Sequence, residues 1–298
     1  DYSDRMGRVA EQDQARRHAF WTGIRAELDG ISCARLERDE CIDYRIFVAQ
    51  MDNFIAGYAT QSYLIPFSSD SGFYTDWVRL PEDTEFGRAE DYRDYLARLH
   101  ELPAVMDEYI ALMRRGIELG ITQPRAVLDG RDEPIKAQLV ERAEDSPFYA
   151  PFRSLPEALA GGDRAELLAT AERVVTADVI PAYRRLHDFL RNEYLPGARE
   201  TLGAGELPGG PAFYQAQIRQ YATVDLSPRE IHDLGLAEVA RIQAEMQGII
   251  EEVGFEGDFA AFLAFLRADP QFYARTAKEL LAHASYYAKK IDGRLPQL

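Results

Sequence analysis

Apolar side chains recur along this chain at steps of three and four residues almost throughout, whereas strict alternation of apolar and polar positions is scarce. Such periodicity sets one helical face after another against a core, and it predicts a mainly α protein, a multi-helix array with few or no strands. Val9 to Leu28 and Arg38 to Tyr58 read as two amphipathic helices separated by a break at Asp29 and Gly30, a helical hairpin. Helices are also predicted over Ala89 to His100, over Pro103 to Leu119, and over a shorter stretch from Pro124 to Gly130. In that reading Pro103 is a first helical residue, and Gly116 and Gly120 offer a stop.

Asp163 is placed to cap a long helical run to Tyr194, which Pro181 should kink because its ring has no N–H and collides with the preceding turn. The firmest starts are two capping boxes, Ser227 with Glu230 and Thr276 with Glu279. From the first runs a stripe of Ile231, Gly235, Val239, Ile242, Met246, Ile249 and Val253, which predicts a central core helix with His232 partly buried beside it. The longest stretch without helical periodicity is Tyr63 to Glu82, where prolines, serines and aromatics predict extended or irregular backbone. No repeat or linker-like tract divides the 298 residues, which read as one helical unit.

Composition narrows the partners. Fifty acidic against 34 basic side chains give a formal charge of −16, which repels a phosphate backbone and argues against nucleic acid. No apolar run reaches the roughly 18 residues that a membrane-spanning helix needs. The chain opens on Asp1, not on Met, so the compartment stays open between cytoplasm and an extracytoplasmic space. Cys33 and Cys41, eight apart, fit neither a redox pair nor a zinc knuckle and read as two unpaired structural thiols; a single disulfide in an oxidising compartment is the alternative.

Candidate chemistry is sparse. An HExxH helix needs two histidines one turn apart, but after His100 and Glu101 the second position is held by Ala104, and Pro103 intervenes. No GxSxG serine elbow occurs. The glycine-rich Glu200 to Pro211 lacks the lysine of a phosphate loop and reads as a connector. Tyr214, Arg219 and Tyr221 combine aromatic and cationic groups able to hold a carboxylate or a peptide backbone.

The stretch FYQAQIRQYATVDLSPREIHDLGLAEVARIQAEM, Phe213 to Met246, resembles the most characteristic part of the N-terminal half of the bacterial domain-of-unknown-function family 885. Tyr92 to Leu128, Ser146 to Pro156, Val179 to Thr201 and Phe262 to Ala282 agree with it in order and spacing. The resemblance implies the N-terminal part of a zincin-like, cleft-forming oligopeptidase, and a zinc-dependent peptidase or carboxypeptidase activity in a longer protein. The family's HExxPGH-like metal stretch follows the region corresponding to Leu295 to Leu298, so no catalytic or metal-binding residue can be carried onto this chain, and zinc is expected only in the full-length parent.

What the resemblance does carry over is a cleft or substrate-binding role for Tyr214, Arg219, Thr223, His232 and Glu238. Where the family shows consecutive threonines, this chain has Ala222, Thr223 and Val224. Two readings follow. In one the chain is a cleft wall, inactive alone, that packs against a missing C-terminal half and meets a peptide substrate in the parent; this predicts an apolar surface near Leu298. In the other it is a non-catalytic helical peptide-binding or interaction module with a complete polar surface.

Overall fold

The computed structural model describes residues 3–156, 159 and 161–297. Helices dominate, as the periodicity predicts, and extended pairing among the described residues is limited to two isolated bridges, Phe67 with Gly72 and Pro124 with Arg199. The chain gathers into two compact units, Asp1–Asp225 and Leu226–Leu298.

In the first unit, α1 (Glu11–Leu28) and α2 (Arg38–Ala59) form the expected hairpin, within two residues of the boundaries read from periodicity. Ring stacking joins them, His18 on Tyr58 at 4.2 Å and Trp21 on Phe54 at 4.6 Å between centroids. The turn between them corrects the reading of the cysteines. Cys33, in a single 3-10 turn, and Cys41, in the first turn of α2, have Cα atoms 5.1 Å apart and are joined as a disulfide. A spacing of eight carries no motif, but a reversal of the chain brings the two thiols within bonding range.

Within Tyr63 to Glu82, expected to be extended or irregular, the chain instead forms a short helix, α3 (Phe73–Val78), whose aromatic side chains are buried in the core; then comes α4 (Ala89–Leu119), one continuous helix of 31 residues where two were predicted. Pro103 lies inside it and is not a start. Its missing N–H leaves one carbonyl of the preceding turn without its helical partner. Leu99, Leu102, Val105 and Met106 on either side are all buried in the same core, so tertiary packing keeps the helix continuous through a local breaker. The helix stops where predicted, at Gly120, whose φ of +71° is the left-handed conformation that favours glycine. The segment from Pro124 to Gly130 forms only one 3-10 turn, Arg125–Val127, and is followed by α5 (Glu133–Lys136).

The long run containing Pro181 starts at Gly161, with Asp163 in the first turn and paired to Arg93 rather than capping. It consists of α6 (Gly161–Val174), a π-helical segment Val175–Val179, α7 (Ile180–Phe189), a second π segment Leu190–Tyr194, and α8 (Leu195–Gly197). Each π segment ends two residues before a proline, Pro181 or Pro196. The N–H groups of Ile180 and Leu195 reach back five residues to Val175 and Leu190, and the wider turn gives each proline ring room where a regular α turn would set a carbonyl against it.

Core packing unites these helices through α4, with Tyr95, Leu99, Met106, Phe148, Tyr183 and Leu186 among its nearly inaccessible side chains. Two of the buried tyrosines satisfy their hydroxyls on backbone carbonyls, Tyr95 on Phe148 at 2.9 Å and Tyr183 on Tyr74 at 2.7 Å. The unit closes with α9 (Gly210–Ala222).

The second unit holds α10 (Pro228–Glu252), α11 (Phe259–Ala268) and α12 (Ala277–Asp292). Both predicted capping residues are in place. Ser227 accepts from the N–H of Glu230 and is answered by the Glu230 carboxylate, and Thr276 accepts from the N–H of Glu279. The α10 stripe is not the predicted core element, because Val239 is 53% and Ile249 52% exposed, and only Ile250 of this helix is buried. His232, expected to be partly buried, is exposed. The amphipathic period was real, but a stripe forms a core only where another element covers it. Leu280, Leu281 and Leu295 are exposed as well; Leu298 lies outside the described residues.

Candidate functional site

A groove of about 710 Å³ runs through the first unit. Its floor is the irregular stretch after α2, which the proline, serine and aromatic content set apart from the helices. Phe67 is buried against Tyr194, with ring centroids 5.2 Å apart, and so fixes the backbone of Ile65 to Phe67 to the core. The chain then reverses. The N–H of Ser68 donates to the carbonyl of Ser71 at 2.8 Å, and the Ser68 hydroxyl donates to Asp70 at 2.6 Å, holding that carboxyl below its ordinary range. Gly72 closes the reversal. A Cβ there would lie 2.5 Å from Cβ of Phe67, so only glycine allows the two backbones to approach.

The adjoining wall is the segment Thr122 to Pro124, bridged to Arg199. Gln123 anchors it twice, its N–H donating to the Tyr194 hydroxyl at 3.0 Å and its Nε2 to the Phe67 carbonyl at 2.6 Å. Arg199 is similarly committed, donating to the carbonyls of Thr122 at 3.0 Å, Thr201 at 2.7 Å and Gly203 at 3.0 Å. It therefore shapes the loop of 200–206, the connector read from its glycines, and leaves little of its guanidinium for a ligand.

The far wall is α9, which presents Phe213, Gln217, Gln220 and Tyr221. Tyr221 is 78% exposed, and the amides of Gln217 and Gln220 make no hydrogen bond among the described residues. Apart from Arg199, the one charged side chain along the groove is Asp76, also without a polar partner among the described residues. The site thus offers backbone groups, amides, hydroxyls and apolar surface, with little net charge, a mixture suited to an extended polar chain.

Of the residues singled out from the sequence, Tyr221 lines the groove. Tyr214 and Arg219 lie on the same helix but not along the cavity; Arg219 pairs with Asp225 at 2.8 Å. Thr223 ends α9 in a left-handed conformation, φ +57°. His232 and Glu238 belong to α10 in the second unit, where Glu238 pairs with Arg241 at 2.8 Å. The structure therefore places Tyr214 and Arg219 on α9 with Thr223 just past its end, and beside Tyr221 the groove is lined by the neighbouring Phe213, Gln217 and Gln220, which no motif marked. The signal for the floor was present, because a long non-helical stretch in a helical chain is where binding residues concentrate.

The histidines make separate local contacts: His100 Nδ1 lies 2.8 Å from Asp178, and His187 packs near Asp132 and Asp188. Among the described residues no group of three or more His, Cys, Asp or Glu is arranged to hold a metal ion, and no helix is long and apolar enough to cross a membrane.

An all-helical scaffold carrying a weakly charged groove on an irregular segment is the class that the fold and site define. The family model described as "Bacterial protein of unknown function (DUF885)" matches residues 1–298, and the chain belongs to that family. The fold is also similar to the crystal structure of a lipoprotein candidate from Colwellia psychrerythraea, with a TM-score of 0.82 at 22% identity, over 98% of this chain and 53% of that one. The chain thus spans about half the length of that protein. None of the curated proteins matches it.

Proposed function

We propose that this chain supplies a substrate-binding wall of a longer, zinc-dependent peptidase or carboxypeptidase, and that its groove holds an extended peptide. The observation that carries the reading is the groove's chemistry: the side-chain amides of Gln217 and Gln220, without a hydrogen bond among the described residues, and the exposed ring of Tyr221 line the same groove as the serine-rich turn of Ser68, Ser69 and Ser71. A peptide backbone presents alternating donors and acceptors, which side-chain amides can match from either end. The resemblance to the zincin-like family supports the hydrolytic part. No step through a metal is derived from this chain, because its described metal-ligating side chains are not gathered into a site.

The test uses the chain and its longer form together. Titrating blocked tripeptides into the chain should show saturable binding without cleavage, and Gln217→Ala combined with Gln220→Ala should weaken it by about tenfold, the equivalent of 1.4 kcal/mol. In the longer protein loaded with zinc the same pair should raise KM and leave kcat nearly unchanged. Peptide binding in a longer protein that never cleaves would establish the alternative, a non-catalytic peptide-binding module. No binding by either form would sink both readings.

A further inference from the structure

A second cavity, of about 440 Å³, lies between the α1–α2 hairpin and the end of α9, and it shares Ser62 and Gln220 with the groove. Its character differs. In a chain with 28% charged residues, none of the side chains lining it is charged. Trp21, Phe54, Tyr58 and Tyr63 supply aromatic surface: Trp21 stacks on Phe54, Tyr58 lies 5.6 Å from Tyr63, and Phe54 is 45% exposed. Between them sit the amides of Gln50 and Asn53, which make no hydrogen bond among the described residues.

We propose that this cavity is a side-chain subsite of the groove, built to take a bulky uncharged residue, above all an aromatic one, from a bound peptide. The proposal rests on the reading of the groove as a peptide site. A lysine, arginine, aspartate or glutamate side chain entering here would lose its water with no opposite charge to meet it, a cost that several good contacts do not offset. A phenylalanine or tyrosine loses nothing of the kind and gains ring contacts with Phe54 and Trp21 in offset or edge-on geometry. The cavity exceeds the volume of one such ring, and because Ser62 and Gln220 line both it and the groove, a side chain held here belongs to a peptide lying in the groove beside it. Gln50 and Asn53 are available to the flanking peptide groups or to a tyrosine hydroxyl.

Trp21 is a built-in reporter, because the other tryptophan, Trp77, is buried in the core. Blocked tripeptides with Phe, Ala, Lys or Asp between two alanines would be titrated into the whole chain and followed by Trp21 emission, with neutral chito-oligosaccharide in a parallel series. The Phe peptide is expected to bind about tenfold tighter than the other three. Phe54→Ala should erase that preference, bringing the Phe peptide to the affinity of the Ala peptide, with helical circular dichroism as the check on folding. Asn53→Asp, which keeps the side chain's shape, should transfer the preference from Phe to Lys by introducing a carboxylate. Equal affinities for all four peptides, or a preference untouched by both variants, would overturn the subsite while leaving the groove reading standing. Emission changes with oligosaccharide and no binding of any peptide would overturn both.

Discussion

The backbone N–H of Gln123 donates to the hydroxyl of Tyr194 at 3.0 Å in a partly buried hydrogen bond, while the side chain of the same glutamine holds the Phe67 carbonyl at 2.6 Å. The second π segment is thereby tied through one residue to the floor of the groove. Tyr194→Phe keeps the ring and removes the hydroxyl, leaving the N–H without its acceptor. The expected loss is about 1 kcal/mol, the usual net contribution of one intramolecular hydrogen bond. Denaturant unfolding monitored by circular dichroism checks it, and a midpoint equal to that of the unmodified chain would show that the bond contributes nothing.

Burial pushes the phenols of Tyr95 and Tyr183 far above their ordinary range and that of Tyr194 up to about 12. These groups stay protonated in the fold at pH values where an unfolded tyrosine ionises. Their contribution is therefore complete below about pH 10 and declines above it, that of Tyr194 being lost as pH rises through about 12. An alkaline titration read at 295 nm should show the exposed tyrosines ionising first, and the last phenols only together with the loss of helical signal. Ionisation of every tyrosine in one step near pH 10, with helicity intact, would contradict the buried placement.

Gly72→Ala tests the shape of the groove. The added methyl meets Cβ of Phe67 at 2.5 Å, and backbone on both sides has to move. Peptide affinity in the groove is expected to fall by about tenfold, with a stability loss of about 1–3 kcal/mol from overpacking. Gly235→Ala, where the new methyl has open space, is the control. Equal peptide affinities in the two variants would show that the reversal at Gly72 does not shape the site.

The helical class, the hairpin and the capped starts at Ser227 and Thr276 were legible because each depends on neighbours within one or two turns. Pro103 was misread for the complementary reason. Its local effect is to stop a helix, and what overrides it is contact with residues distant in sequence. The α10 stripe shows the same limit from the other side, since periodicity reports which face is apolar and not whether anything covers it. The site was partly legible. Of Tyr63 to Glu82, read as non-helical, the reversal at 65–72 is irregular while Phe73–Val78 is helical; Tyr221 was picked for its chemistry, but Gln123, Arg199 and Gln217 are ordinary residues whose importance comes from the chain returning to the same place. Nothing in their local sequence distinguishes them from any other exposed amide or arginine.

The disulfide between Cys33 and Cys41 bears on the aromatic cavity, because it closes the turn of the hairpin that carries Trp21 and Phe54. It encloses a loop with a sequence separation of eight. On the chain-entropy estimate, cross-linking so short a loop removes on the order of 2 kcal/mol from the unfolded state's advantage. Reduction, or replacement of both cysteines by serine, is expected to lower the hairpin's stability by about that amount, and to disturb Trp21 emission more than the signal of the core tyrosines. A thiol reagent should find no free cysteine in the native oxidised protein and two after denaturation with reductant. Two reactive thiols in protein prepared under oxidising conditions would show that the bridge does not form, and the α1–α2 packing would then rest on the stacked rings alone.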